Sequence, residues 1–482
     1  MSAGVSNSSV NRREQEAVTN CLKATGGSWT AVPPDYANFS RAEVLKKLEQ
    51  VRDAVLAETN APRAEVEAAH DRSQYFVESS FDFYERKKDL GRRIERAFVV
   101  PVRSTRLDHD HGTEGSGYAS ESTPFCPLLD PARFGVSSEI RMRTIYGLPP
   151  TILDTYLRSP NDNETGALVL APVYADMARD IWSNPTDAGQ SRELARIVER
   201  LLFKTAEFAH HSLGANLIGL GATLPLLTDF GDSLKRVDHM RRLTTTTGHG
   251  GTVHMLAKTT IEVMKQSGVE DRGTIGVIGA AGSIGWSSVQ ALKTMLPDHK
   301  FEVFDRRVER LRTLLAADAD SGRMRLNECL ADVFNNSAYI VCAITDKLDM
   351  MSSEFDAVDF SNIRVIDDSQ PGAIDRVQME SLGGQVFWVA GKDASANRFM
   401  TRDGYYTEGV PYNYGDSSGL HGQSTEFACG LEAAVIAACG DTSKAVNKRV
   451  VYQDVQIIGH LFDEYGIEVA DFQSFGRPVD IR

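Results

Sequence analysis

The feature that most constrains the fold of this chain is a glycine-rich stretch between Thr274 and Arg307. It reads T-I-G-V-I-G-A-A-G-S-I-G-W-S-S-V-Q-A-L, and F-E-V-F-D-R-R follows. A β-branched run ends at three glycines, a helical pattern comes next, and a second strand ends at Asp305, twenty residues after Gly285. Glycines let the backbone approach a pyrophosphate, and a helix N-terminus offers free N–H donors. The stretch therefore predicts a nicotinamide dinucleotide site, against the alternative of a ligand-free strand–helix–strand unit.

The candidate cofactor-binding residues lie in this loop and at the end of the second strand. The glycine spacing is G-x-x-G-x-x-G, where G-x-G-x-x-G is commoner. An acid at the strand end accepts hydrogen bonds from a ribose 2′-OH and repels a 2′-phosphate, so Asp305 favours NADH. Two arginines beside it can clamp the phosphate of NADPH. The candidates are Gly279, Ala280, Gly282, Ser283, Ile284, Gly285, Asp305, Arg306 and Arg307.

Composition narrows the class of protein. The chain has 482 residues, enough for about two to four domains. Its formal net charge of −14 argues against a nucleic-acid partner and against adhesion to anionic membranes. Six scattered cysteines without a C-x-x-C pair indicate a reducing compartment and no metal centre. The polar N-terminus and the lack of a long apolar run predict a soluble, cytoplasmic protein with no integral membrane segment.

The expected fold class is α/β: a Rossmann-type doubly wound parallel sheet, a second α/β substrate domain and a helical N-terminal extension. Four segments are expected: an extension and linker (1–145), a substrate or catalytic domain (146–270), a Rossmann domain (271–400) and a C-terminal helical segment (401–482) that packs back on the substrate domain. Short β-branched runs support the parallel sheet, at 338–344, 364–369 and 385–390.

The N-terminal segment is predicted to contain two helices and a loop. One helix begins after Ser40, because four apolar residues then recur on one face: Val44, Leu48, Val51 and Val55. A second helical pattern runs from Pro62 to about Phe98, and residues 99–145 are expected to form a linker or surface loop. The D-H-D-H run at 108–111 is predicted to be solvated, since polar runs in loops are more often exposed than metal-binding.

The run T-T-T-T-G-H-G-G-T at 244–252 precedes a helical pattern. Hydroxyls and glycines at this position suit either a plain helix cap or a cradle for an oxyanion or phosphate. The sequence alone does not separate these two readings, and it leaves the roles of His249 and His254 open. The candidate donors to an acyl group or a nicotinamide are Thr247, Gly248 and Thr252.

The run T-E-F-A-C-G-L-E-A-A-V-I-A-A at 425–438 predicts a helix with Cys429 near its start and Glu432 on the same face. The helix dipole can favour the Cys429 thiolate, whereas a buried small hydrophobe is the structural alternative. Glu432 can act as a general base, orient a neighbour, or merely be a capping or solvated carboxylate. His421 is a candidate proton donor in a glycine-rich segment.

Five motifs of this chain together resemble those of the long-chain acyl-(acyl-carrier-protein) reductases of cyanobacteria, which make fatty aldehydes. They are P-P-T-I-L-D with G-A-L-V-L, I-G-L-G-A-T, T-T-G-x-x-x-T, G-A-A-G-S-I-G and F-A-C-G-L-E-A, in the same order over roughly residues 145–440. The resemblance implies that a thioester substrate acylates Cys429 and that NADPH then delivers a hydride and releases an aldehyde. Glu432 matches the family's glutamate. Asp305 stands where the family tends to have a small residue.

Three functions from different classes follow. The favoured one is an NAD(P)H-dependent reductase of an acyl thioester, on a carrier protein or coenzyme A, with NADPH preferred and NADH as the alternative. The second is an NAD(P)-dependent dehydrogenase without covalent catalysis, in which Cys429 packs in the core. The third is a non-catalytic dinucleotide-binding sensor or scaffold. Assembly into a homo-oligomer is compatible with all three.

Overall fold

A computed structural model describes residues 40–102, 129, 134, 148–157, 164–174, 188–236, 238–270, 273–369, 372–394, 400–401, 425–474 and 477–481. The chain divides into two compact units. Described residues up to Thr244 form the first unit, and those from Thr245 onward form the second, which also takes in Leu157.

The described residues form helices and strands throughout both units. The helices are α1 (Arg41–Glu58), α2 (Arg63–Asp89), α3 (Ala188–Glu207), α4 (Leu224–Leu227), α5 (His249–Gln266), α6 (Ser283–Met295), α7 (Val308–Ala317), α8 (Leu330–Asn336), α9 (Arg376–Ser381), α10 (Ala428–Cys439) and α11 (Tyr452–Tyr465). The strands are β1 (Arg96–Val102), β2 (Thr151–Leu157), β3 (Gly166–Tyr174), β4 (Leu217–Leu220), β5 (Thr244–Thr246), β6 (Thr274–Ile278), β7 (Lys300–Phe304), β8 (Met324–Leu326), β9 (Tyr339–Cys342), β10 (Arg364–Asp367), β11 (Gln385–Trp388), β12 (Gly391–Asp393), β13 (Met400–Thr401), β14 (Thr425–Glu426), β15 (Ile467–Val469), β16 (Gln473–Ser474) and β17 (Arg477–Pro478).

The first unit opens with the predicted helix α1. Ser40 is its N-cap, and the Ser40 hydroxyl accepts a hydrogen bond from the Glu43 N–H at 3.4 Å. The helix packs against α2, as its periodic apolar face requires. The expectation for this helix and its buried face is confirmed, on Val44, Leu48, Val51 and Val55.

The prediction for the end of the second helix is wrong. Helix α2 ends at Asp89, and the chain then forms β1, a parallel strand between β3 and β4. Residues 99–102 therefore belong to a sheet rather than to a linker. All seven residues of β1 are buried, which suits a strand covered on both faces. Four strands of this sheet lie in the order β2-β3-β1-β4.

The second unit contains a six-stranded sheet in the order β11-β10-β9-β6-β7-β8, and every neighbouring pair is parallel. Counted from β6, this is the Rossmann order, with the direction of winding reversing between β6 and β9. The predicted α/β fold class is confirmed: parallel Rossmann-type sheet, further α/β unit and helical N-terminal region. Ligands of such sheets bind at the carboxyl ends of the strands near the reversal point.

Two features bring the C-terminal residues to the carboxyl edge of this six-stranded sheet. Strand β12 begins three residues after β11 and pairs with β14, directly before α10. Helix α5 packs against β9 and β10 and also against α10 and α11. These two units differ in their bounds from the four expected segments, since α5, α10 and α11 share one unit with the Rossmann sheet. None of the described helices is long and apolar enough to cross a bilayer.

Candidate active site

The glycine loop after β6 is tightly built. Gly279 has a φ of +84°, and a Cβ at this position would lie 2.3 Å from the Ala343 carbonyl oxygen, just after β9. A Cβ at Gly285 would lie 2.1 Å from the Gly279 carbonyl oxygen. Gly282 is the N-cap of α6, and no side chain caps this helix. The first-turn N–H groups, those of Ser283, Ile284 and Gly285, therefore suit a pyrophosphate.

The buried Asp305 carboxylate is directed toward the loop. One oxygen accepts a hydrogen bond from the Ala281 N–H at 2.9 Å. The other accepts from the Arg307 N–H at 2.8 Å and from its Nε at 3.2 Å. Asp305 thus fixes the loop and Arg307, a role that the sequence interpretation did not consider.

Three guanidinium groups gather beside this loop. The Arg307 Nη2 lies 3.8 Å from the position of a Cβ on Gly282. Burial lowers the pKa of Arg310 most strongly, and the charges of Arg449 and Arg307 lower it further. Arg306 instead pairs with Asp346 at 2.6 Å on the surface. The cluster of Arg307, Arg310 and Arg449 suits a dianionic phosphate.

Glu432 is completely buried and caps the turn before α5. Its Oε1 accepts from the Thr246 hydroxyl and from the Gly248 N–H at 3.1 Å. Its Oε2 accepts from the Gly251 N–H at 2.7 Å. Burial raises the pKa of Glu432 to about 7 although these hydrogen bonds lower it. Of the two non-catalytic alternatives for Glu432, the capping carboxylate agrees with the structure and the solvated carboxylate does not.

The same turn lies directly against Cys429. Gly248 has a φ of +74°, and a Cβ on it would lie 2.2 Å from the Cys429 Cβ. A Cβ on Gly251 would lie 2.6 Å from the Ala428 carbonyl oxygen. The turn can therefore reach the start of α10 only with glycine at both places. Cys429 itself is half-buried.

The proposed loop donors are already engaged within the protein. The Thr247 N–H donates to the Val446 carbonyl at 2.8 Å, and the Gly248 N–H donates to Glu432. The Thr252 N–H donates to the Gly248 carbonyl at 3.0 Å. These amides are not free for an acyl group or a nicotinamide.

Carboxylates surround the Cys429 thiol. Burial raises the pKa of this thiol most strongly, and the charges of Asp368, Glu426 and Glu432 raise it further. The helix dipole was expected to favour the thiolate, but burial and three acids oppose it. The resting thiol is therefore neutral at pH 7.

Two acids at the end of β10 were not among the sequence-predicted site residues. Asp367 is fully buried and accepts hydrogen bonds from the Ser369 and Ala373 N–H groups, each at 2.8 Å. The Asp368 N–H donates to the Cys342 carbonyl at 3.2 Å, which places it beside the end of β9. The signal in the sequence is R-V-I-D-D-S, a buried strand that ends in one acid and is followed at once by another.

These acids lie close to the start of α10. Asp367 is in register with Trp388 across β10 and β11. The Trp388 ring centroid lies 6.4 Å from that of Phe427, two residues before Cys429. The glycine loop, Ala343 and Asp368 therefore lie at the carboxyl edge of the sheet, and Phe427 links the start of α10 to the end of β11.

Two histidines that the structure describes in and after the glycine turn carry no positive charge. His249 is buried and His254 is partly buried, and burial lowers the pKa of each to about 4, so both are neutral at pH 7. His421 and the D-H-D-H run at 108–111 lie outside the described residues. Among the residues that the structure does describe, no group of three or more His, Cys, Asp or Glu side chains can hold a metal ion.

Comparison with known proteins gives only distant likenesses. No protein-family profile and no curated protein sequence matches the chain. Among solved structures, a dipicolinate synthase chain from Bacillus halodurans is 18% identical with a TM-score of 0.25. That match covers 39% of this chain and 60% of the other, so this chain spans about three fifths of the length of that protein.

Two dehydrogenases give longer matches of similar quality. Quinate dehydrogenase from Corynebacterium glutamicum in complex with NAD is 13% identical over 61% of this chain and 88% of its own, with a TM-score of 0.27. L-tryptophan dehydrogenase from Nostoc punctiforme is 10% identical over 77% of this chain and 88% of its own, with a TM-score of 0.25. At such low TM-scores these likenesses decide neither fold nor activity.

Proposed function

We propose that this chain is a nicotinamide-dinucleotide-dependent oxidoreductase, and more specifically an NADPH-dependent reductase that turns an acyl thioester into an aldehyde through an acyl-Cys429 intermediate. The observation that carries the proposal is the position of Cys429. It lies in the first turn of α10, against the glycine turn that Glu432 holds, at the carboxyl edge of a Rossmann sheet. The F-A-C-G-L-E-A motif and its resemblance to acyl-(acyl-carrier-protein) reductases support the same reading.

The glycine loop fits the cofactor that this reaction needs. Gly282 leaves the start of α6 uncapped, and Gly279 and Gly285 leave no room for a side chain there. When bound, the reduced nicotinamide supplies a hydride. The cluster of Arg307, Arg310 and Arg449 favours NADPH, because Asp305 is turned toward the loop and does not face a 2′-phosphate.

The chain's own residues account for the covalent half of the reaction. The Cys429 sulfur attacks the thioester carbonyl and displaces the carrier thiol, which leaves with the thiol proton. The N–H groups of Ala428 and Cys429 open α10, whose N-cap has no side-chain partner, and they suit the developing oxyanion. Glu432 acts as a positioning residue, since its oxygens are occupied by the turn.

One observation favours a second function. Burial and the neighbouring acids keep the Cys429 thiol neutral, which disfavours a nucleophile and suits a dehydrogenase without covalent catalysis. In that case Cys429 is a small buried side chain, and the substrate is a carbonyl or alcohol rather than a thioester. Acyl transfer to the protein separates these two functions, and NAD(P)H oxidation separates both from a non-catalytic sensor.

Cys429→Ser tests the proposal directly. We expect aldehyde formation from a panel of acyl thioesters, on coenzyme A and on carrier protein, to fall by several orders of magnitude. Intact-mass analysis without NADPH should show an acyl adduct on the wild type that maps to Cys429 and disappears when NADPH is added. Cys439→Ser is the matched control, because Cys439 ends the same helix and donates to the Ile436 carbonyl. Near-wild-type aldehyde production by Cys429→Ser would overturn the covalent mechanism.

A further inference from the structure

We propose that Asp368 is the acid that protonates the substrate carbonyl oxygen when the acyl group on Cys429 is reduced. This inference rests on the proposed function and adds a catalytic residue to it. Asp368 lies outside the F-A-C-G-L-E-A and glycine-loop motifs, so neither of them suggests it.

The fold places Asp368 between the glycine loop and Cys429. It directly follows β10, and its N–H donates to the carbonyl of Cys342, the last residue of β9. Ala343 comes next after β9 and touches Gly279 of the loop. On the other side, β10 pairs with β11, whose Trp388 contacts Phe427 at the start of α10. A ligand that extends from the glycine loop to Cys429 therefore lies next to Asp368.

The two adjacent acids have different surroundings. Asp367 is fully buried, and the N–H groups of Ser369 and Ala373 hold its two oxygens. Asp368 is only partly buried, and among the described residues none donates a hydrogen bond to its carboxyl group. Asp367 thus shapes the turn, and Asp368 is left to interact with a ligand.

The surroundings of Asp368 also favour its protonated form. Burial raises its pKa well above the ordinary value, and the charge of Asp367 raises it further. The other titratable groups near it are Cys342 on β9 and Cys429 on α10, two thiols that are themselves neutral because burial raises their pKa values. No described cation offsets these effects on Asp368. Both effects favour the protonated carboxyl group, which is the form that can donate a proton.

The step balances in atoms and charge. The thioester carbonyl carbon of acyl-Cys429 accepts the hydride, its C=O π bond breaks, and its oxygen takes the Asp368 proton, which gives a hemithioacetal. The hemithioacetal O–H then returns its proton to Asp368 as the C–S bond breaks and its electron pair moves to sulfur. The products are the aldehyde and the Cys429 thiolate, which takes one proton from solvent. The net reaction consumes one hydride and one proton.

Asp368→Asn is the test, because asparagine keeps the size and cannot donate a carboxyl proton. On incubation with an acyl thioester, we expect the variant to acquire the acyl mass on Cys429 as the wild type does. The acyl-enzymes are then reduced with NADPH in single-turnover experiments. Aldehyde release should then slow by about 10²–10⁴-fold. Asp356→Asn, at an exposed position of the same unit, is the matched control and should leave both steps unchanged. Aldehyde release by Asp368→Asn at the wild-type rate would overturn the proposal.

A second measurement keeps the proposal testable if the variant does not fold. The wild-type rate of reduction of acyl-enzyme should fall as the pH rises through the raised pKa of Asp368, because only the protonated acid acts. A rate of acyl-enzyme reduction that does not fall with rising pH would refute the role. A wild type that forms no acyl adduct at all would instead refute the covalent function itself, so the two failures are distinguishable.

Discussion

At the scale of single residues, Glu432 shows how a carboxylate can position other residues of a site through its hydrogen bonds. It joins the turn before α5 to the helix that carries Cys429, across 181 positions of sequence at Gly251. Hydrogen bonds to a charged acceptor are among the stronger ones in proteins. A buried carboxyl group on α10 thus positions the turn, while the proposed proton transfer falls to Asp368.

His254 leads to a prediction about pH. This side chain packs against Phe462, and a Cβ on Gly459 would lie 2.5 Å from its Nδ1. Its folded pKa of about 4 is below the ordinary 6.5, so its contribution to stability is present above pH 6.5 and is lost as the pH falls toward 4. Between pH 7 and pH 5 we expect the wild type to lose about 2 kcal/mol of unfolding free energy relative to His254→Asn.

Urea unfolding at the two pH values measures this difference. Buried acids such as Glu432 act in the opposite sense, but they are common to both proteins and cancel in the comparison. The exposed His460, on the neighbouring helix α11, gives the control His460→Asn, which should show a much smaller change. Equal pH dependence of wild type and His254→Asn would show that His254 charges freely in the folded protein.

At the scale of elements, the contact between the glycine loop and α6 carries a prediction about the cofactor. Gly285→Ala places a Cβ within 2.1 Å of the Gly279 carbonyl oxygen, so the helix must move away from the loop. We expect NADPH affinity to fall at least tenfold, which corresponds to about 1.4 kcal/mol. A titration followed by nicotinamide fluorescence measures the NADPH affinity of both proteins.

Gly322→Ala is the matched control for this experiment. A Cβ on Gly322 would meet nothing within 4 Å, and the residue lies in the same unit. The control should bind NADPH as the wild type does. Unchanged affinity in Gly285→Ala would mean that the dinucleotide does not use the start of α6.

Elements set by local sequence could be predicted, and those set by distant neighbours could not. The strand, loop and helix around Gly282 follow from one continuous pattern, and so does the buried face of α1. Strand β1 was missed because its partners are β3 and β4, far along the chain, and because a strong helical pattern runs up to it. The effect of Asp368 on Cys429 was missed for a related reason: β10 and α10 are far apart in sequence, whereas Glu432 lies on the same helix as Cys429 and was predicted.

At the scale of the whole molecule, the chain divides into two compact units, each with a hydrophobic cluster of its own, which predicts two calorimetric transitions. Val99 is 2% exposed in the centre of the first sheet, so Val99→Asp buries an unpaired charge. We expect this change to cost several kcal/mol in the first unit alone, whereas NADPH should raise the midpoint of the second. Val99→Thr, which keeps the shape of the side chain without a charge, serves as the control. One transition that responds to both changes would contradict two independent cores.

The parallel pairing of β1 with β4 also has a consequence for synthesis on the ribosome. Val99 pairs with Leu220, which is translated more than a hundred residues later. At about 5–20 residues per second, that delay is on the order of ten seconds. During this interval the nascent chain exposes β1 with one whole side of its backbone unpaired, so it should depend on chaperones until β4 has left the exit tunnel.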